Sequence, residues 1–155
     1  MELSRTRSPA DLGAALLRIA LGVMYLSHAG LKIFVFTLPG TAQFFESVGF
    51  PGWSVFPVVA AELAGGALLI AGWRTRLVAL SLVPILVGAA IVHWPNGWVF
   101  TAQGGGWEFP AYLIVLSVVQ ALIGDGAFAL RVGGRAGAPA VAVRTDKKAR
   151  TSAGL

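Results

Sequence analysis

Four long apolar runs divide the chain, each bounded by short polar or Gly/Pro-containing stretches. They cover about 12–36, 53–73, 77–98 and 108–130. Each approaches the ~20 residues that a helix needs to cross ~30 Å of hydrocarbon. Ser8-Pro9-Ala10-Asp11 stands before the first run. Ser8 as N-cap, Pro9 in the first turn and Asp11 closing a capping box predict a helix start there. Arg18 interrupts the run and no small-residue cleavage site follows, so the segment reads as a membrane anchor rather than a removed leader. Residues 40–52 read as a polar connection, 74–76 as a tight basic turn, and 101–107 as a loop holding three successive glycines. Pro84 falls inside the third run, where neighbouring helices can re-satisfy the freed backbone.

Composition turns these runs into membrane spans. Of the 155 residues, 56% are hydrophobic and only 12% charged. Roughly a quarter is usual for charge in a soluble domain. The net charge of +5 could suggest a nucleic-acid partner, but the basic residues flank the apolar runs or gather after residue 130. With the N-terminus cytoplasmic, eleven of the twelve Lys and Arg residues lie inside and only Lys32 outside, as the positive-inside rule requires. The expected fold is therefore all-α, an integral membrane four-helix bundle with both termini cytoplasmic. A cytoplasmic segment, 1–11, leads in, a transmembrane domain spans 12–131, and 132–155 form a basic, disordered cytoplasmic tail. The location is a bacterial inner membrane crossed several times, with the lipid bilayer as first partner and no nucleic acid.

Ionisable groups inside membrane helices are expensive and call for a reason. On the first span, 100° per residue places Arg18, Tyr25, His28 and Lys32 within an arc of about 80°. Arg18 and Asp125 lie at similar depth near the cytoplasmic side and are expected to form a structural ion pair. His28, Lys32, Glu62, His93, Glu108 and Tyr112 all fall in the outer half and form the candidate polar intramembrane site. Glu62 is the most deeply placed, and Lys32 or His28 is its expected partner, because a lone carboxylate there would have to be neutral or paired. Two readings of this cluster stand side by side: a proton-handling or ligand-binding site, and a salt bridge that fixes helix order. The chain has no cysteine, so it carries no thiol relay, disulfide or Cys-based metal site, and no metal centre is expected. His28 and His93 could in principle bracket a haem, but bulky neighbours on both make that the poorer expectation.

Arg18-x-x-x-Gly22 with His28-Ala29-Gly30-Leu31-Lys32, then Phe44-Phe45-Glu46-Ser47-Val48-Gly49-Phe50-Pro51, resembles the opening of the DoxX family of small bacterial membrane proteins. Glu62-Leu63-Ala64-Gly65-Gly66, His93-Trp94-Pro95-Asn96-Gly97-Trp98 and Gly105-Gly106-Trp107-Glu108 continue the resemblance in order. The resemblance implies a four-helix inner-membrane fold. Through the family's namesake it also implies a membrane subunit of an oxidoreductase system that acts near the quinone pool through a protein partner. It points to Arg18, His28, Lys32, Glu62, His93 and Glu108. No resident cofactor is evident, and quinone is the candidate ligand. A non-catalytic scaffold or anchor, and a small transporter or proton pathway centred on Glu62, are the alternatives, and the expected partner is another protein or a second copy in a homo-oligomer.

Overall fold

A computed structural model describes residues 7–130. The N-terminal residues 1–6 and the basic tail expected over 132–155 lie outside the described residues. Helix α1 (Pro9–Gly30) begins at the capping box, where Asp11 N donates to Ser8 Oγ at 3.1 Å and Ser8 N to Asp11 Oδ2 at 3.3 Å. One π-helical turn, Leu31–Val35, prolongs it into a span of 27 residues.

The connection expected over 40–52 contains a helix, α2 (Leu38–Ser47). Its proline and glycine suggest a loop, but Pro39 sits in the first turn, where its missing N–H costs nothing. Leu38, Ala42 and Phe45 then recur at helical spacing and pack against buried Ala29, Val55 and Val59. A single 3-10 turn leads into α3 (Val55–Ala71). Gly72, at φ 76°, ends α3 by turning its N–H back to the Leu68 and Leu69 carbonyls, a left-handed cap that glycine takes without a Cβ penalty.

Helices α4 (Thr75–His93) and α5 (Glu108–Ile123) complete the bundle. The fourth span, expected to reach residue 130, stops at Ile123. Gly124, at φ 88°, breaks it, and the following residues cross the base of the bundle. Ala127 N donates to Asp11 O at 2.8 Å and Leu130 N to Ala71 O at 3.0 Å. At 1.5 Å per residue α5 is about 24 Å long, whereas α1 with its extension, α3 and α4 are each long and apolar enough to cross a membrane.

The principal pairings are α1 with α3, α4 with α5, α3 with α4 and α1 with α5, which close a four-helix ring. Small residues set two of its seams. A Cβ on Gly66 would stand 2.8 Å from the Gly22 carbonyl oxygen, and one on Gly65 2.7 Å from Leu82 Cδ1. The adjacent glycines of α3 therefore admit α1 on one side and α4 on the other, the close approach that membrane helices use in place of a hydrophobic driving force. Inside lie Leu21, Tyr25, Leu69, Leu82 and Leu113. Outside, large apolar side chains such as Leu16, Phe34 and Leu122 are exposed, as hydrocarbon solvent demands.

Candidate functional site

The α1–α3 crossing at Gly22 and Gly66 determines what sits above it. Four residues back along α3, Glu62 points into the bundle and is 3% exposed. Ten residues further along α1, Lys32 leaves the π-helical turn and reaches it. Lys32 Nζ stands 2.7 Å from Glu62 Oε1 and 2.9 Å from Oε2. The π turn changes the local backbone pairing, with Phe36 N donating to Leu31 O. The Lys32 carbonyl accepts from the Thr41 hydroxyl of α2 at 3.4 Å. Such turns recur at functional sites because they re-aim side chains within a helix. The carboxylate is enclosed while the lysine side chain stays partly accessible (4% against 17%), so the ammonium is the member of the pair that a ligand can touch.

The pair forms part of the wall of a cavity of about 430 Å³ lined mainly by apolar side chains, among them Phe45, Leu86, Phe109 and Leu113. His28, His93 and Tyr25 are its other ionisable wall groups. His28 Nδ1 donates to the Met24 carbonyl at 3.0 Å, and its ring stacks on Phe109 at 5.8 Å. In the neutral ring this leaves Nε2 as the acceptor. His93 Nδ1 lies 3.0 and 3.1 Å from the Gly104 and Gly105 carbonyls, which Asn96 also binds. The glycine loop is thereby tied to the end of α4.

Two expected members of the cluster stand elsewhere. Glu108 turns away from the cavity and accepts from Phe100 N at 3.2 Å. Tyr112 is 58% exposed and faces Trp98, with ring centroids 6.2 Å apart. Both have the right depth but occupy the outer face of α5, and hydropathy reports depth better than rotation.

The expected ion pair of Arg18 and Asp125 does not form. The fully buried Arg18 donates from Nη1 to Leu69 O at 2.8 Å and Ile70 O at 2.6 Å, and from Nη2 to Ala127 O at 3.0 Å. Asp125 Oδ1 accepts from Thr75 N at 3.2 Å. Each charge meets a helix end of opposite polarity: the guanidinium takes the Leu69 and Ile70 carbonyls at the C-terminus of α3, and the carboxylate takes an orphan N–H at the start of α4.

Phe44 and Phe45 of α2 and Phe109 carry no polar signal in the sequence, yet all three wall the cavity. The Leu38/Ala42/Phe45 spacing was the available signal for α2. Among the described residues, no group of three or more His, Cys, Asp or Glu side chains is placed to hold a metal ion.

These features define a polytopic helical membrane protein with a partly apolar cavity and one enclosed ion pair. The DoxX family profile matches residues 13–94, and the chain belongs to the DoxX family, proteins of the bacterial inner membrane. It is 34% identical over 120 residues to a Bacillus subtilis (strain 168) protein named "Putative oxidoreductase CatD", covering 77% of this chain and 85% of that one. It is 31% identical over 70 residues to the inner membrane protein YqjF of Escherichia coli (strain K12), covering 45% of this chain and 52% of that one. No solved structure matches it.

Proposed function

We propose that this chain is the membrane subunit of an oxidoreductase system and that its cavity takes the ring of a quinone, with a partner protein exchanging the electrons. The observation that carries the reading is the Lys32 ammonium, held by Glu62 on the wall of an otherwise mostly apolar cavity. At about 430 Å³ the cavity lies within the ~300–1,000 Å³ range of small-molecule sites, which pair apolar walls with a few placed polar groups.

A quinone suits such a place. Its ring packs against Phe45 and Phe109, and a carbonyl oxygen accepts from Lys32. Two-electron reduction of the ring takes up two protons, one on each oxygen. His28, whose Nδ1–H is anchored on Met24 O, can pass one of these protons through its free Nε2, and the Lys32 ammonium on the other oxygen can pass the second. Glu62 acts as a positioning residue that keeps Lys32 aimed. Without cysteine the chain has no thiol to relay electrons, so these come from the partner. The oxidoreductase label of CatD supports the same class.

The test is a lipid extract of the purified protein together with titration of added ubiquinone or menaquinone. Quinone should copurify in near-stoichiometric amount, and Lys32→Met should weaken its binding at least tenfold. Failure of both quinones to copurify or to bind would end the proposal.

A further inference from the structure

A second cavity, of about 440 Å³, adjoins the first. It runs between the end of α1 and α2, where Leu31, Phe36, Gly40 and Thr41 belong to its wall and not to that of the first. The two cavities share His28, Lys32, Phe44, Phe45 and His93, so Lys32 and both histidines stand where they meet. Leu31, Phe36 and Phe44 are large apolar side chains on the exposed surface of the molecule. In a membrane protein such a rim faces lipid. The second cavity therefore opens beside the ion pair at an apolar rim.

Building on the quinone reading, we infer that the ligand is a long-chain amphiphile. Its polar ring lies at Lys32 and His28 in the inner cavity, and its apolar tail leaves through the outer one, beneath α2, into the hydrocarbon. Three observations lead there. The outer cavity is as large as the inner, so a single ring confined to the inner one leaves at least half of the space unfilled. Thr41, its one hydroxyl-bearing wall residue, has its hydroxyl engaged by the Thr37 and Lys32 carbonyls, so the polar group there is already satisfied. Lys32 and both histidines stand at the junction, where a head-to-tail boundary would place them. A tail confers little affinity by burial alone, since lipid is as apolar as the cavity. Its role is to select ligands already dissolved in the membrane and to hold the ring in one orientation.

The experiment uses the full chain in nanodiscs and a ubiquinone analogue with a diazirine on its tail. Photolabelled peptides are mapped by mass spectrometry. The tail-free 2,3-dimethoxy-5-methyl-1,4-benzoquinone is the competitor, and its own binding is measured by calorimetry. Labelling should fall within residues 31–45 and be displaced by the competitor. Leu31→Trp, which narrows the outer cavity, should reduce labelling at least tenfold while changing tail-free quinone binding less than twofold. Displaceable labelling elsewhere on the bundle, or no effect of Leu31→Trp, would overturn the tail inference and leave the quinone reading intact. The same holds if a photoactivatable phospholipid, and not the quinone probe, marks 31–45. If the tail-free quinone neither binds nor displaces the probe, the quinone reading itself falls.

Discussion

Lys32 and Glu62 have opposite fates when separated, because Lys32 is partly exposed on a long flexible stem and Glu62 is enclosed. Lys32→Met leaves an enclosed carboxylate without a counter-charge, a loss on the order of 3–5 kcal/mol for buried pairs. Glu62→Gln should cost clearly less, since Lys32 is partly exposed and can reorient. Lys32→Met combined with Glu62→Gln should recover most of the stability yet still fail to bind quinone. Thermal unfolding of the three variants in one detergent reads both effects, and a double variant no more stable than Lys32→Met alone would contradict this account of the pair. A second contrast concerns Arg18 and Asp125. Were they an ion pair, neutralising either should cost alike. With Arg18 on three carbonyls and Asp125 on one N–H, Arg18→Leu should cost about 3 kcal/mol or more, from lost charge-assisted hydrogen bonds and orphaned carbonyls. Asp125→Asn keeps an acceptor oxygen and should cost at most about 1 kcal/mol, the size of a charge–helix-end interaction. Equal losses by thermal unfolding would restore the ion pair.

At the scale of elements, the bundle depends on where two helices touch through glycine. Gly66→Ala places a methyl group against the Gly22 carbonyl, with no flexible neighbour that can yield at that contact. Gly13→Ala, also within a helix, meets nothing within 4 Å. The first should destabilise the protein and loosen the Lys32–Glu62 pairing above it. The second should stabilise by up to about 1 kcal/mol, the difference in helix propensity. Melting temperatures of the two variants check this, and a stabilising Gly66→Ala would show that the α1–α3 contact is looser than described. Helix α2 matters differently. It spans no membrane, yet it supplies Phe44 and Phe45 to the cavities and fastens Thr41 to the π turn that carries Lys32. It is amphipathic over only ten residues, so its periodicity is weak beside the proline and glycine that announce a turn.

For the whole molecule, the orientation in the membrane remains the proposal that the basic residues support: both termini on the cytoplasmic side, with α2 and the 97–107 loop on the other. A phosphatase fusion placed after residue 102 should be active, and one at the C-terminus inactive, in a bacterial host. The reverse pattern would invert the bundle and put the Lys32–Glu62 pair in the cytoplasmic half. The aromatic belt at the loop end fits an interface, with Trp94 and Trp98 both packed on Trp107 at centroid distances of 4.6 and 4.4 Å.

The sequence by itself determined the class of fold, because hydrocarbon thickness and the cost of bare backbone in lipid leave few alternatives to apolar helices of about this length. It determined the start of α1 through a local capping box, and it placed Glu62 inside with Lys32 or His28 as partner, because a lone carboxylate in a membrane must be met. Only the tertiary structure decided which of the outer polar groups converge. Depth along a helix is written in hydropathy, but rotation about its axis depends on which neighbours pack where, and this turned Glu108 and Tyr112 away from the cavity. The partners of Arg18 and Asp125 were beyond the sequence for a related reason. The carbonyls and the N–H that satisfy them are backbone groups, the same in every residue that bears them, and only the assembled bundle brings those helix ends within reach.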